Sequence, residues 1–282
     1  MDKILDGKLV SSKIKEELIN DIKNIDDTLT LAVLQVGNNE ASNIYVSKKI
    51  NLCKEIGINS LLIKYDEDVK EDVLINKIQE LNNDDKVTGI LLQLPLPENL
   101  DVKKIVNTIS PLKDVDGLTS INIGKLYNNE KGIIPCTALG ITKLLDYYNI
   151  DVLGKNITII GRSTLVGIPL FKLMLDKNAT VTICHSKTKM LDNFTKNSDI
   201  VVVAVGKKDF LNKEMIKEDA IIIDVGISRV LGKVYGDVNF DDVYEKCKYI
   251  TKTPGGVGPL TVICLMLNCF NCYKLQKSFK KC

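Results

Sequence analysis

The sequence of 282 residues lacks a strong excess of charge of either sign and lacks a long apolar run. Its 38 basic and 36 acidic side chains leave a net charge of +2, which gives no electrostatic reason to expect binding to nucleic acid or to an anionic membrane. No uninterrupted apolar stretch approaches the ~20 residues of a membrane span, and the first six residues lack the apolar core of a signal peptide. We therefore expect a cytoplasmic protein that binds neither nucleic acid nor membranes.

The sequence also lacks paired groups of metal-binding residues. The single histidine, His185, stands at the end of a predicted strand, and we interpret it as structural and not as a general base. The eight cysteines are scattered, mostly among apolar neighbours, as expected for small buried side chains that stay reduced. Cys269 and Cys272 form one C-x-x-C pair, but a structural zinc site usually needs four ligands in paired knuckles. The sequence therefore predicts no metal site.

Apolar segments alternate with segments of helical periodicity along most of the chain. The first part has predicted helices over 11–24, 41–56, 69–82 and 99–108 and predicted strands over 29–36, 60–65 and 89–94. A predicted loop-rich segment over 110–135 and a helix over 137–148 lead to the second part. This part has predicted strands over 157–160, 180–184, 199–205 and 220–225, helices over 167–177 and 188–196, and an apolar helix over 260–273. This order predicts an α/β fold with two parallel sheets, the second of Rossmann type.

The most informative segment is an apolar strand that runs into the turn Gly161-Arg162-Ser163 and then into a helix start. Such a turn presents backbone N–H groups and the positive end of a helix dipole, which suits a diphosphate. The glycines do not follow the common G-x-G-x-x-G pattern, so the turn alone is weak evidence. After the next strand, Ser186 and its neighbours stand where an NAD enzyme would carry a ribose-binding acid. Because no carboxylate would repel a 2′-phosphate there and Arg162 could bind one, the sequence favours NADP over NAD.

Four polar residues stand out in the first part of the chain. Tyr45 and Lys49 are four residues apart on a predicted helix and so lie on one face, although spacing alone would favour a surface pair. The predicted topology places this helix beside loops at strand ends, where open α/β sheets bind ligands. Gln93 lies at such a strand end, and Asp116 lies in an acidic turn. By themselves, the last two would be an ordinary strand-end amide and an ordinary turn residue.

In combination, these motifs resemble the bifunctional methylenetetrahydrofolate dehydrogenase/methenyltetrahydrofolate cyclohydrolase family, and the resemblance covers nearly the full chain. The matching segments are Tyr45-Val46-Ser47-Lys48-Lys49, Gln93-Leu94-Pro95-Leu96-Pro97, Lys113-Asp114-Val115-Asp116-Gly117, Gly161-Arg162-Ser163 with Val166-Gly167 and Pro169, Asp224-Val225-Gly226-Ile227, Gly236-Asp237-Val238, and Pro254-Gly255-Gly256-Val257-Gly258-Pro259. Each segment is short, but their joint occurrence in this order is highly specific.

The resemblance implies NADP-dependent oxidation of 5,10-methylenetetrahydrofolate and hydrolysis of the methenyl product to 10-formyltetrahydrofolate. It implies that Lys49 is the catalytic lysine, assisted by Gln93, and that Tyr45 packs on the aromatic part of the folate while Asp116 binds the pterin. The implied substrate contacts also include Gly256 and Pro259. The implied cofactor contacts are Gly161, Arg162, Ser163, Ser186 and Ile227, although Ser186 could instead be a simple helix N-cap.

The expected domain organisation follows from the pattern and the resemblance together. We expect a folate-binding catalytic domain of residues 1–139 and 262–282, an NADP-binding domain of residues 140–261, a cleft between them, and a homodimer formed through the cofactor domain. The family commonly has proline where this chain has Ala138 and Lys208, and neither change removes a reactive group. Two alternatives remain open on the residues alone: an NADP dehydrogenase of a small hydroxy acid, and a non-catalytic NADPH sensor.

Overall fold

The computed structural model of the chain describes residues 3–230 and 232–279. The chain divides into two compact units. The three-stranded unit comprises residues 14–136 and the residues from Val262 onward, and the six-stranded unit comprises the residues up to Lys13 and residues 137–261. Helices and strands alternate along both, as the periodicity predicts.

The elements of the first half are, in chain order, β1 (Ile4–Leu5), α1 (Gly7–Lys23), β2 (Thr30–Val36), α2 (Glu40–Ile56), β3 (Asn59–Tyr65), α3 (Glu71–Asn83), β4 (Gly89–Leu92), α4 (Val102–Thr108) and α5 (Ser120–Tyr127). Those of the second half are α6 (Cys136–Tyr147), β5 (Asn156–Ile160), α7 (Gly167–Asp176), β6 (Thr180–Cys184), α8 (Leu191–Thr195), β7 (Ile200–Val203), β8 (Ile221–Asp224), β9 (Ser228–Val230), β10 (Lys233–Tyr235), α9 (Phe240–Val243), β11 (Tyr249–Thr251) and α10 (Val257–Phe279).

The three-stranded unit is built on a parallel sheet in the order β3-β2-β4. The central strand β2 is buried over residues 31–36, and every one of these residues except Gln35 is apolar, as expected for a strand covered on both faces. Helix α3 packs Leu74, Ile78 and Leu81 into the same core, at the spacing of one helical face. Helix α2 ends at Gly57, which has φ +84° and donates its N–H to the carbonyl of Cys53, as its sequence position predicts.

The segment 110–135, which the sequence predicts to be rich in loops, is not loop throughout. It contains the helix α5, whose first turn is capped by the hydroxyl of Thr119 accepting the N–H of Asn122. The helix is short, and the surrounding glycines and asparagines hid its periodicity.

The six-stranded unit contains a parallel sheet in the order β1-β11-β8-β7-β5-β6 and an antiparallel hairpin of β9 and β10. The expected domain boundaries differ from the observed units at the N-terminus. Ile4 pairs with Ile250 and Leu5 with Thr251, so the first strand completes this sheet and the residues up to Lys13 group with it. Two-residue and three-residue strands such as β1 and β11 are too short to show a period in the sequence.

Helix α10 differs from expectation in its length and character. It has 23 residues and is long and apolar enough to cross a membrane by length and composition alone, which the sequence analysis did not anticipate. However, 56% of the most apolar 18-residue stretch of this helix is buried in the protein. Gln276 Nε2 also donates to the carbonyls of Thr88 and Leu112 at 2.8 and 2.9 Å. The helix is therefore packed as part of a protein core.

The C-x-x-C pair lies on this helix. Cys269 and Cys272 are fully buried thiols, and burial raises the pKa of both. Within residues 3–230 and 232–279, no group of three or more histidine, cysteine or acidic side chains is arranged to hold a metal ion. The eighth cysteine, Cys282, lies outside the described residues.

Candidate functional site

Lys49 and Gln93 meet at the carboxyl end of the three-stranded sheet. Lys49 lies on α2 and is half-buried, and its Nζ donates a hydrogen bond of 2.9 Å to Oε1 of Gln93. Gln93 directly follows β4, and its backbone N–H donates to the carbonyl of Leu34 at 2.9 Å, which extends the strand ladder by one residue. Its Nε2 donates to the carbonyl of Leu94 at 2.6 Å. The amide is therefore oriented so that its oxygen faces the lysine.

Tyr45 lies one helical turn before Lys49 and is also half-buried. The Nζ of Lys48 lies 5.9 Å from the centroid of the Tyr45 ring. Tyr45 thus stands on the same helix as the amine of Lys49, and because the residue is only half-buried, its ring can stack on a flat ligand.

Asp116 lies close to Lys49 in the same unit. Burial is the largest influence on this carboxyl and raises its pKa, while the positive charge of Lys49 and a hydrogen bond with the thiol of Cys136 act in the opposite direction. The charge of Asp114 raises the pKa of Asp116 further. An amine, an amide and a partly desolvated carboxyl therefore lie near one another, on α2, after β4 and in the loop before α5.

The neighbouring acid, Asp114, has a structural role that the sequence analysis missed. Its side chain is 1% exposed, its Oδ1 accepts the N–H of Gly117 at 2.9 Å, and its Oδ2 accepts the N–H of Thr119 at 2.8 Å and Nδ2 of Asn122 at 3.0 Å. An aspartate side chain that accepts the N–H of the residue three positions later is typical of a turn. The spacing of Asp114 and Gly117 could therefore have indicated this role from the sequence. The motif therefore contains one acid that holds the loop, Asp114, and one, Asp116, whose pKa is raised by burial and lowered in part by the nearby charge of Lys49.

In the six-stranded unit, the glycine turn after β5 packs tightly against its surroundings. Gly161 has φ +130°, and a Cβ at this position would lie 2.4 Å from the carbonyl oxygen of Ala204. A Cβ at Gly167 would lie 2.0 Å from the carbonyl oxygen of Gly161. Both glycines are therefore required for the close approach of strand, turn and helix that a phosphate-binding turn needs.

The side chains around this turn have donors suited to phosphate. Arg162 and Ser163 are exposed, and the hydroxyl of Ser163 accepts the N–H of Val166 at 3.2 Å. Ser186 is exposed in the turn after β6 and is not a helix cap, because α8 begins five residues later, after Met190. His185 Nδ1 accepts the N–H of Lys187 at 3.2 Å, which agrees with a structural histidine.

The predicted cofactor residues lie at one edge of the sheet. Gly161, Ser186 and Ile227 follow β5, β6 and β8, whose carboxyl ends meet at the same edge because the strands are parallel. The sheet order places three strand spacings between β6 and β8, about 14 Å. That span suits an extended dinucleotide, and no carboxylate occurs from His185 to Met190 to repel a 2′-phosphate. The residues present fit NADP.

Two buried acids, Asp224 and Asp237, lie at this edge of the sheet, and no individual role for either followed from the sequence. Asp237 is fully buried, its Oδ2 accepts the N–H groups of Val205 and Gly206 at 2.6 and 3.0 Å, and its Oδ1 accepts that of Lys207 at 2.7 Å. Its backbone N–H donates to Oδ1 of Asp224 at 2.9 Å. Asp237 therefore holds the loop that follows β7.

Asp224 ends β8, and its environment is unusual for a carboxyl group. Burial raises its pKa from 3.8 to about 7, while hydrogen bonds from the N–H groups of Asp237 and Val238 oppose that shift. Glycine is required beside both acids: a Cβ at Gly226 would lie 1.9 Å from Cγ of Asp237, and one at Gly236 would lie 1.7 Å from Oδ2 of Asp224. This packing explains why both acids stand beside glycine in their motifs.

Gly256 and Pro259 lie at the start of α10, in the six-stranded unit. The carbonyl oxygen of Gly256 would lie 1.7 Å from a Cβ at Gly7, and the carbonyl of Pro259 accepts the hydroxyl of Ser11 at 3.4 Å. They thus belong to a different unit from Lys49, and their contact with substrate stays a prediction.

Comparison with known proteins gives consistent matches for both units. The catalytic domain of tetrahydrofolate dehydrogenase/cyclohydrolase matches residues 5–116, and the NAD(P)-binding domain of the same family matches residues 135–277. The bifunctional protein FolD of Thermodesulfovibrio yellowstonii is 50% identical over 282 residues, covering 99% of each chain. The crystal structure of the bifunctional FolD dehydrogenase/cyclohydrolase from Campylobacter jejuni is 44% identical with a TM-score of 0.93, covering 97% of this chain and 99% of that chain. The FolD dehydrogenase-cyclohydrolase of Trypanosoma brucei, complexed with NADP and an inhibitor, is 31% identical with a TM-score of 0.92, covering 98% of this chain and 99% of that chain.

Proposed function

Because the chain belongs to the tetrahydrofolate dehydrogenase/cyclohydrolase family, we propose which of its residues carry the two reactions of that family. The protein is a bifunctional enzyme that oxidises 5,10-methylenetetrahydrofolate with NADP and hydrolyses the methenyl product to 10-formyltetrahydrofolate. This assignment decides against a hydroxy-acid dehydrogenase and against a non-catalytic sensor.

Lys49 is the general acid and base of the hydrolysis, and its hydrogen bond to Gln93 is the observation that carries this proposal. The attacking water loses one proton to Nζ of Lys49 as its oxygen bonds to the methenyl carbon. Nζ passes that proton to the ring nitrogen as the bond between this nitrogen and the carbon breaks. The second proton of the water is released as the formyl carbonyl forms. Gln93 keeps the amine aimed at these atoms by accepting one of its N–H groups.

Asp116 and Tyr45 bind the folate. A pterin presents neighbouring N–H donors along one edge, and a single carboxylate accepts two of them at once. Asp116 suits this role because it is partly desolvated and lies close to Lys49. Tyr45 offers its ring face to the aminobenzoyl group from the same helix as the catalytic amine. We place Gly256 and Pro259 among the further substrate contacts.

The dehydrogenase step depends mainly on alignment. The two nitrogens that flank the methylene carbon delocalise the positive charge that develops there, so no strong base is required. NADP supplies the hydride acceptor when it is bound. Gly161, Arg162 and Ser163 form the turn that holds its diphosphate. The guanidinium of Arg162 and the hydroxyl of Ser186 contact the 2′-phosphate, and Ile227 contributes a backbone contact towards the nicotinamide end.

Domain roles and assembly complete the proposal. We assign folate binding to the three-stranded unit and NADP binding to the six-stranded unit, and we propose a cytoplasmic homodimer that binds no nucleic acid. Free buried thiols at Cys184 and Cys247 support a reducing compartment. Light scattering of the purified protein measures the oligomeric state.

The substitution Lys49→Met tests the central role. It keeps the length of the side chain but removes the amine and its bond to Gln93, and we expect hydrolysis of the methenyl substrate to fall at least ~100-fold. NADP-dependent oxidation should retain a larger fraction of its rate. Lys54→Met, an exposed position on the same helix, is the matched control and should leave both activities intact. Full hydrolysis by the Lys49 variant would refute the assigned role.

A further inference from the structure

We infer that Asn268, on the C-terminal helix α10, is a positioning residue for Asp116; this inference rests on the proposed role of Asp116 in binding the pterin. The side chain of Asn268 is 1% exposed. Its Nδ2 donates to the carbonyl of Val115 at 2.9 Å and to the carbonyl of Ile134 at 2.8 Å. Both N–H groups of one amide are thus used on two separate loops, and one of these carbonyls belongs to the residue before Asp116.

The two loops joined by Asn268 pack closely against each other. Gly117 has φ +70°, and a Cβ there would lie 2.8 Å from the carbonyl carbon of Ile134, so no larger residue fits between the loops. The thiol of Cys136 donates to the carbonyl of Val115 at 3.3 Å and lies 3.4 Å from Nδ2 of Asn268. The same thiol is near enough to Asp116 to oppose the rise that burial causes in the pKa of this carboxyl. Asn268 therefore contacts both the backbone before Asp116 and the thiol of Cys136, which lies near the Asp116 carboxyl.

The backbone is held on both sides of Asp116. Asn268 and Cys136 bind the carbonyl of Val115 before it, and Oδ1 of Asp114 accepts the N–H of Gly117 after it. Without the amide of Asn268, the carbonyls of Val115 and Ile134 each lose a hydrogen-bond donor. Helix α10 then no longer binds the two loops at these atoms. A displacement of the carboxyl by about 1 Å is enough to weaken a bidentate contact strongly. Asn268 acts on substrate binding through Asp116 and without touching the substrate.

The test compares two leucine variants on the same helix. Asn268→Leu keeps the branched shape of the side chain but removes the donor. We expect the KM for methylenetetrahydrofolate to rise roughly 10-fold to 100-fold while the KM for NADP stays unchanged. Gln276→Leu is the matched control, because Gln276 also donates to two carbonyls of this unit but at Thr88 and Leu112. It should lower thermal stability to a similar extent and leave the folate KM unchanged. An equal rise in KM for both variants would indicate only general loosening and would overturn the inference.

A combination with Asp116→Asn separates this inference from the proposed function. If Asn268 acts through Asp116, the double variant has the same folate KM as Asp116→Asn alone. An Asp116 variant with a raised KM beside an Asn268 variant with a normal KM overturns the positioning role only. A normal KM in the Asp116 variant overturns the pterin-binding role and the inference with it. Asn268→Ser retains one donor and should give an intermediate KM, and it serves if the leucine variant does not fold.

Discussion

The buried carboxylate of Asp237 gives the sharpest quantitative prediction. In Asp237→Asn, one of the two side-chain oxygens becomes an NH2 group. If the remaining oxygen faces Val205 and Gly206, the NH2 group opposes the N–H of Lys207; if the amide is reversed, two N–H groups lose their acceptor. Either orientation removes at least one charge-assisted bond and leaves a buried donor unpaired, which costs about 3 kcal/mol of unfolding free energy.

The assay is urea denaturation followed by far-ultraviolet circular dichroism, since the chain contains no tryptophan. Asp151→Asn is the matched control, because Asp151 is exposed and accepts a single N–H, from Leu153, at 3.0 Å. It should change stability by less than ~1 kcal/mol. Because the loop of residues 205–207 follows β7 at the edge assigned to the cofactor, the Asp237 variant should also have a raised KM for NADP while hydrolysis of the methenyl substrate continues. A stability equal to that of the control would refute the reasoning.

Two further predictions concern the six-stranded unit. Burial keeps Asp224 protonated in the folded protein up to about pH 7, whereas an unfolded aspartate releases its proton near pH 3.8. Between these pH values the folded state therefore binds more protons than the unfolded state. The unfolding free energy should consequently fall as the pH rises from about 4 to about 7. Denaturation at several pH values should show that Asp224→Asn flattens this dependence, which amounts to at most about 4 kcal/mol between these two pKa values. An unchanged slope would contradict the raised pKa of Asp224. Arg162→Ala should raise the KM for NADP roughly 10-fold and leave the KM for NAD unchanged, because only NADP carries the 2′-phosphate. Steady-state kinetics with both cofactors measures this, and an equal effect on both would place Arg162 elsewhere.

Much of the fold could be predicted from local pattern. The strand β2 and the helix α2 appear within one residue of the predicted bounds, because an apolar run and a glycine C-cap are local signals. The strands β1 and β11 could not be predicted, since two or three residues carry no period and their pairing joins segments about 250 positions apart in the chain. The helix α5 was missed because its neighbouring turn residues dominate the composition of that segment.

The sequence by itself determined which chemical groups the protein carries and where glycine is unavoidable. Each of the motifs that contain Lys49, Gln93 and the turn at Gly161 is a continuous stretch of sequence. Their order along the chain therefore identifies the family without coordinates. Only the tertiary structure decided that Asp116 lies near Lys49 while Asp114 holds the loop, and that an amide 153 positions away, on Asn268, binds the carbonyl of Val115. Hydrogen bonds between distant segments depend on how helices and loops pack together, and no local pattern encodes which of two similar side chains will find a buried partner.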